Sequence, residues 1–168
     1  MGTVNFKKIM IATDGSTCSM LAADKGIELA LLSKGTVYAI YVVSTAYLSP
    51  MNRDYFSSAG LNPYYEPMYE TMHETMTKQG HQAVDYVKSL GETKGINVEP
   101  VLLEGNPSEE LIRYAEEEQM DIIIMGTIGK KGLDRLLLGS VTGNLVHHSK
   151  VPVMVIREEC KSLNKRKK

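Results

Sequence analysis

The fold is decided by residues 121–142, which read DIIIMGTIGKKGLDRLLLGSVT. The stretch begins with an apolar run, Ile122 to Met125, of the kind typical of a parallel strand buried on both faces. Glycines follow at Gly126, Gly129, Gly132 and Gly139, and Ser140 opens a helix-like segment. Most strand-to-helix connections take about 2–6 residues, so this glycine-rich loop is more than a connector. Its place between a buried strand and a helix N-terminus predicts an anion site.

The rest of the chain alternates between strand and helix patterns. Strands are predicted at 7–13, 36–43, 96–103, 121–125 and 151–156, and helices at 17–34, about 70–94, 107–119 and 140–148. Parallel neighbours in a sheet need helical crossovers between them. The order therefore predicts an α/β fold with a doubly wound, five-stranded parallel sheet.

Three local features refine this order. Asn106 is a good N-cap, Pro107 suits the first helical position and Glu109 lies three residues after the cap, so a helix is expected to begin there. Pro100 places the third strand near a sheet edge or a bulge. Residues 44–69 hold three prolines without a sustained period, which predicts an insertion that is irregular at its start.

Composition limits the class of protein. The 168 residues, 43% of them hydrophobic, suit one globular domain at 1–160 with a basic tail at 161–168. A net charge of −1 gives no global attraction for nucleic acid or an anionic membrane. No apolar run approaches the ~20 residues that span a bilayer, and the first residues lack the form of a signal peptide. Cys18 and Cys160 form no metal pattern, so a cytoplasmic location is expected.

The loop after the fourth strand has the donors that a phosphate needs. Gly126 is expected to form the strand-end turn, and Gly129 to let the backbone approach a phosphate or ribose closely. Gly139 and Ser140 would present helix-terminal N–H groups, where the helix dipole favours negative charge. Screening cations are available at Lys130, Lys131 and Arg135. The alternative is a long surface loop with solvated charges.

The familiar catalytic motifs are absent from the sequence. There is no GxxxxGK[ST], and no GxGxxG follows the first strand, where the turn is Thr13-Asp14-Gly15-Ser16. No Ser-His-Asp or Cys-His arrangement can be placed, and no arginine finger is evident. No residue set therefore looks like a dedicated catalytic centre.

The spacing Gly126-x2-Gly129-x9-Gly139-Ser140 resembles the nucleotide-binding signature of the universal stress protein family, in its ATP-binding branch. The resemblance covers most of the chain, including Ala12-Thr13-Asp14 and the closing strand at 151–156. It implies a Rossmann-like fold of the adenine nucleotide α-hydrolase type with sheet order 3-2-1-4-5. The nucleotide would lie across the ends of strands 1 and 4.

The resemblance also assigns roles to residues of this chain. Ala12, Thr13 and Asp14 would flank the nucleoside, and the backbone of Val42 would contact the adenine edge. Met125 and Gly126 would line the base and ribose. The phosphates would be held by Gly129, Lys130, Gly139, Ser140 and Val141, with Thr142 as a secondary candidate. The implied cofactor is ATP with Mg or Mn, and Asp14 would contact either the nucleoside or the divalent ion.

The expected partners are an adenine nucleotide, an unidentified protein and a second copy of the chain. An apolar edge strand at 151–156 is open to pairing, and members of the resembled family commonly dimerise through it. Two other functions stay open. The chain could be an adenylate-forming enzyme of the related α-hydrolase class, although Thr13-Asp14-Gly15-Ser16 only faintly resembles an SGGxDS loop. It could also be an interaction scaffold without a nucleotide.

Overall fold

The computed structural model describes residues 5–46, 54, 57–60, 62–127 and 138–157. Within these ranges the chain alternates between strands and helices. The elements are β1 (Lys8–Ala12), α1 (Thr17–Ser33), β2 (Thr36–Ser44), α2 (Asn62–Thr93), β3 (Val98–Gly105), α3 (Pro107–Glu117), β4 (Ile122–Gly126), α4 (Ser140–His148) and β5 (Val153–Ile156).

The five strands form one parallel sheet in the order β3-β2-β1-β4-β5. Ile9 of β1 lies opposite Val37 of β2 on one side and Ile122 of β4 on the other. Strand β1 is therefore central, and its residues 9–12 are buried. Both the doubly wound α/β fold and the strand order 3-2-1-4-5 are confirmed.

The sheet separates two apolar clusters. The cluster under α1 and α2 contains Ile9, Ile11, Ile27 and Val84. The cluster under α3 and α4 contains Met10, Ile40, Leu111, Ile123 and Leu145. Successive strand residues point to opposite faces, so Ile9 and Met10 serve different layers.

Helix α2 begins earlier than the sequence predicts. Its first residue is Asn62 rather than Glu70, so the last part of the 44–69 insertion is helical. Pro63 falls in the first turn, where a missing N–H costs nothing, and Pro67 lies inside the helix. The prolines suggested irregular chain, but the helix tolerates both of them. Strand β3 also starts at Val98 rather than at 96, and Pro100 lies on this edge strand as expected.

The amino ends of the central strands are fastened by Asp121, just before β4. Its Oδ2 accepts hydrogen bonds from the backbone N–H groups of Lys7 (2.6 Å) and Lys8 (2.8 Å). The Lys7 ammonium donates to the carbonyl of Ser33 at the end of α1, and that of Lys8 to the carbonyl of Glu118 just after α3. Cations are favourable at helix C-termini, so this cluster joins two strands and two helices.

Replacing Asp121 by alanine should therefore destabilise the fold. Hydrogen bonds to a charged group contribute about 1.5–3 kcal/mol each, and partial exposure reduces this, so we expect a loss of about 2 kcal/mol in urea unfolding. Asp121→Asn keeps a carbonyl acceptor and should lose less than about 1 kcal/mol. Equal losses in the two variants would show that a neutral carbonyl acceptor at position 121 contributes nothing to stability.

Among the described helices, none is long and apolar enough to cross a membrane.

Candidate functional site

The candidate site lies at the carboxyl edge of the sheet, where β1 and β4 are neighbours. From β1 the chain crosses to β2 on one side, and it reaches β4 on the other side only after β3 and α3. This reversal is the switch point at which open α/β sheets bind ligands. Strand β1 ends at Ala12 and β4 at Gly126, so the predicted residues that follow these strands share one edge.

Four of the predicted residues lie in the same layer. Ala12, Val42, Met125 and Val141 all belong to the apolar cluster under α3 and α4. Ala12 and Met125 are buried, whereas Val42 and Val141 are partly buried. These side chains come from three strand ends and one helix start, and they pack in one layer beside the first turn of α4.

The backbone of Val42 faces the space beyond β1. The carbonyl of Ile40 accepts a hydrogen bond from the N–H of Thr13 (2.9 Å), so Ile40 points toward β1. Backbone N–H and carbonyl groups point to alternate sides of a strand from one residue to the next. Val42 is two residues after Ile40, so its N–H and carbonyl point to the same side as those of Ile40. The last register pair of β1 with β2 is Ala12 with Ile40. The N–H and carbonyl of Val42 are thus directed at the edge of the site rather than at a strand.

Gly126 allows a close contact between the end of β4 and the first turn of α1. It is the last residue of β4, and its backbone is outside the left-handed region. A Cβ at this position would lie 2.9 Å from the backbone carbonyl carbon and oxygen of Cys18 in the first turn of α1. The missing side chain allows α1 to pack directly on the end of β4. The contact with Cys18 therefore explains glycine at the end of β4, while the loop that follows the predicted turn continues at 128–137, outside the described residues.

Within the part of the chain that the structure describes, no side chain caps the first turn of α4. The first N–H groups of a helix have no intrahelical partner. In α1 and α3 they are capped by Ser16, which accepts from the N–H of Ser19, and by Asn106, which accepts from the N–H of Ser108. The N-cap of α4 is Gly139, which has no side chain to offer. Exposed Ser140 follows it at the open edge of the sheet.

Two hydrogen bonds fasten α4 to the end of β4. The N–H of Gly139 donates to the carbonyl of Thr127 (2.8 Å), and the Thr142 hydroxyl donates to the carbonyl of Gly126 (2.9 Å). Thr142 is buried. Its hydroxyl proton therefore holds the helix to the strand, which is a positioning contact distinct from the phosphate contact predicted for this residue.

Thr13 and Asp14 lie on the α1 side of the edge. The buried Thr13 hydroxyl donates to the hydroxyl of Ser19 (3.1 Å) and accepts from the N–H of Gly15 (3.2 Å). The Asp14 carboxylate accepts from the N–H of Ser16 (3.0 Å), which closes a turn ahead of α1. Both residues thus support the β1–α1 turn.

The other predicted loop residues, Gly129, Lys130, Lys131, Gly132 and Arg135, lie outside the described residues. So do Cys160 and the tail at 161–168. In the described part of the chain, no three His, Cys, Asp or Glu side chains are placed to hold a metal ion.

Sequence reasoning missed four polar residues at this edge: Ser19, Ser108, Thr127 and Asn144. Each is a hydroxyl or amide residue in a helix or directly after a strand, and each bonds to a residue of another local segment or element. For Thr127, its position directly after β4 was the available signal, whereas the other three lie inside helices. Their partners are set by packing, which spacing alone does not reveal.

Tyr41, on the α1 side of the site, makes the free energy of unfolding depend on pH. Burial raises the pKa of its phenol, and the negative charge of Asp14 raises this pKa further. Above the ordinary pKa of about 10, the unfolded chain loses this proton while the folded protein keeps it. The free energy of unfolding must therefore fall as the pH rises from about 10 toward the raised pKa of the folded state.

Tyr41→Phe should make this alkaline loss of stability smaller, because phenylalanine has no proton to lose. Urea unfolding of both proteins at about pH 8 and at about pH 11 measures the difference. Parallel losses in the two proteins would assign the alkaline effect to other groups, such as Tyr114, whose pKa is raised by burial and by nearby Glu118.

Comparison with known proteins gives a consistent result. The model of the universal stress protein family matches residues 5–157. Universal stress protein MJ0531 of Methanocaldococcus jannaschii is 38% identical over 153 residues, which are 91% of this chain and 83% of that protein. Universal stress protein MJ0577 of the same organism is 32% identical over 161 residues, covering 94% of this chain and 98% of that protein.

Solved structures share the fold. That of MJ0577 superposes with a TM-score of 0.67 at 30% identity, covering 92% of this chain and 97% of that one. A universal stress protein from Archaeoglobus fulgidus in complex with dAMP gives 0.62 at 15% identity, covering 92% and 100%. A family member from Arabidopsis thaliana with AMP bound gives 0.61 at 16% identity, covering 92% and 93%. The family match, the sequence relatives and the shared fold agree, and the chain belongs to the universal stress protein family.

Proposed function

We propose that this protein binds ATP, with Mg or Mn, at the carboxyl edge of its sheet and acts as a nucleotide-dependent regulator or sensor in a stress response. One observation carries the proposal. Among the described residues, no side chain caps the first turn of α4, and this turn begins at the same edge as the apolar side chains of Ala12, Val42 and Met125. A triphosphate and an adenine ring need these two environments side by side.

The base half of the proposed site comprises Ala12, Val42 and Met125. Ala12 and Met125 lie at the ends of β1 and β4 in the apolar layer, where the flat ring would pack against them. The outward-directed N–H and carbonyl of Val42 supply one donor and one acceptor, which match the ring nitrogen and the amino group on the edge of adenine. Guanine carries a carbonyl where adenine has its amino group, so this backbone favours adenine.

The phosphate half comprises the first turn of α4 at Ser140 and Val141, with Gly139 before it, whose own N–H is held by the carbonyl of Thr127. First-turn N–H groups converge at the N-terminus of α4, and the helix dipole places positive potential there. Gly139 places no side chain over these donors. The Ser140 side chain is exposed, so its hydroxyl is available as a further donor. Asp14 directly follows β1, the central strand, at this edge and would take part in holding a divalent ion with the phosphates.

The comparisons support an adenine nucleotide as the ligand class, since structures of the same fold were solved with dAMP and with AMP. ATP rather than a monophosphate is proposed because the glycine-serine spacing continues from 126 to 140 and provides donors for a longer phosphate chain. The regulatory role follows from the missing catalytic motifs, which favour a bound nucleotide over a rapidly hydrolysed one. A cytoplasmic location is part of this proposal, because the nucleotide is found there.

Calorimetric titration tests the proposed function. ATP with Mg should bind with a measurable heat, GTP should bind at least about ten-fold more weakly, and EDTA should weaken ATP binding. The absence of heat with any adenine nucleotide would favour a scaffold without a ligand. Release of pyrophosphate from ATP in the presence of carboxylic acids would instead indicate an adenylate-forming enzyme.

We also propose a homodimer formed through the closing strand at 151–156. Strand β5 is an edge strand that pairs only with β4 among the described strands. Apolar side chains are exposed around it, at Leu138 (47%), Val146 (44%) and Met154 (37%). A two-fold axis beside β5 would bury this patch in both copies.

Light scattering tests the proposed dimer. At micromolar concentration it should give twice the chain mass, and Met154→Lys should reduce this mass. A monomeric mass for the unaltered protein would contradict the dimer.

A further inference from the structure

A chain of polar side chains joins α4 to the start of α3. The Asn144 amide donates to the hydroxyl of Ser108 (3.3 Å), and this hydroxyl donates to the Asn106 side-chain oxygen (2.9 Å). Ser108 is 7% exposed, so its hydroxyl depends on these two partners. Hydrogen bonds in such a chain polarise and strengthen one another.

The two ends of this chain lie at the two halves of the proposed site. Asn144 is four residues after Ser140, about one turn into the helix whose N-terminus forms the phosphate half. Asn106 directly follows Gly105, the last residue of β3. Gly105 pairs with Ser44 of β2 and accepts from the N–H of Thr45 (3.1 Å). Ser44 is two residues beyond Val42 of the base half.

We propose that Asn144 is a positioning residue which, through Ser108 and Asn106, fixes the spacing between the phosphate half and the base half. This inference rests on the proposed nucleotide binding. None of the three residues belongs to either half, so their effect depends on a ligand that uses both halves at once. ATP spans the two halves, whereas adenosine uses only the base half and tripolyphosphate only the phosphate half.

The variants Asn144→Ala and Ser108→Ala each remove a hydrogen bond of the series Asn144–Ser108–Asn106. Ser108→Ala leaves intact the cap that Asn106 gives to the backbone N–H groups of residues 108 and 109. Lys150→Ala is the matched control. Lys150 pairs with Glu116 (3.2 Å) and so ties the same two helical regions together at the far edge of the sheet.

Each cut should weaken ATP binding about five-fold, the equivalent of one neutral hydrogen bond, and should change adenosine and tripolyphosphate binding less than about two-fold. The double variant should bind ATP no more weakly than either single variant, because both changes break one chain. Lys150→Ala should bind all three ligands normally. Hydrogen exchange adds a second readout: tripolyphosphate should increase protection of the Ser108 and Glu109 amides in the unaltered protein and not in Asn144→Ala.

Three outcomes would overturn the inference. If Asn144→Ala binds ATP normally, the hydrogen bonds of Asn144, Ser108 and Asn106 do not set the spacing between the two halves, and the proposed nucleotide site stands. If adenosine and ATP lose affinity equally, Asn144 acts through general stability rather than through spacing. If the unaltered protein binds none of the three ligands, the proposed function fails and this inference fails with it.

Discussion

Gly126→Val is expected to lower the stability of the protein by about 3 kcal/mol, the upper range for overpacking a rigid contact. The new side chain would meet the backbone of Cys18, with the Cβ only 2.9 Å from its carbonyl carbon and oxygen. Backbone cannot rotate away as a flexible side chain can, so the first turn of α1 must move off β4. For a chain of this size the melting temperature should fall by about 6–12 °C.

The same displacement should weaken ATP binding at least about ten-fold, because α1 begins just after Asp14 and the Thr13–Ser19 contact fixes that turn. Thermal unfolding and calorimetry measure the two effects. Gly143→Ala is the matched control, since a Cβ there meets no described atom within 4 Å outside its own helix. This helical position should gain up to about 1 kcal/mol. A normal melting temperature for Gly126→Val would show that the β4–α1 contact is not rigid.

Gly139→Asp is expected to separate binding from stability. The backbone of Gly139 (φ −58°, ψ 155°) suits any residue, and aspartate is a favoured N-cap. The new carboxylate would accept hydrogen bonds from the first-turn N–H groups of α4, with a gain of a few tenths of a kcal/mol. It would also occupy the donors proposed for the phosphates and repel their charge. ATP affinity should fall at least about 100-fold.

Adenosine binding should be unchanged in Gly139→Asp, because the base half is untouched. Gly139→Asn is the control for charge, since asparagine caps a helix equally well without a negative charge, and its ATP affinity should be intermediate. Titrations with ATP and adenosine, together with thermal unfolding, separate these effects. Normal ATP affinity in Gly139→Asp would move the phosphates away from α4.

The parts of the fold that depend on local sequence were predictable. The apolar runs of β1 and β4 showed that these strands are buried on both faces, and Asn106-Pro107 marked the start of α3. The start of α2 was misjudged because prolines at 63 and 67 suggested irregular chain. Proline disfavours a helix locally, but the burial of Val84 and Val87 farther along α2 stabilises the whole helix.

The candidate site was predicted as a set of positions, but not the reasons for them. The glycine at 126 was recognised, yet its partner Cys18 is 108 residues away in sequence, as the two residue numbers show. The Asn144–Ser108 bond joins two helices that only the folded sheet brings together. A conformational preference is a property of a short segment, whereas a contact between distant segments is a property of the assembled layers.

The fastening of Lys7 and Lys8 by Asp121 has a consequence for how this protein can change over evolution. It lies at the amino edge of the sheet, on the opposite side from the residues proposed to bind the nucleotide. Substitutions that retune ligand preference at one edge therefore leave the other edge intact, since distant sites contribute additively to stability. Substitutions at the carboxyl edge and the Asp121 hydrogen bonds at the amino edge are therefore independent, so ligand preference can change during evolution while the stability supplied by Asp121 is kept.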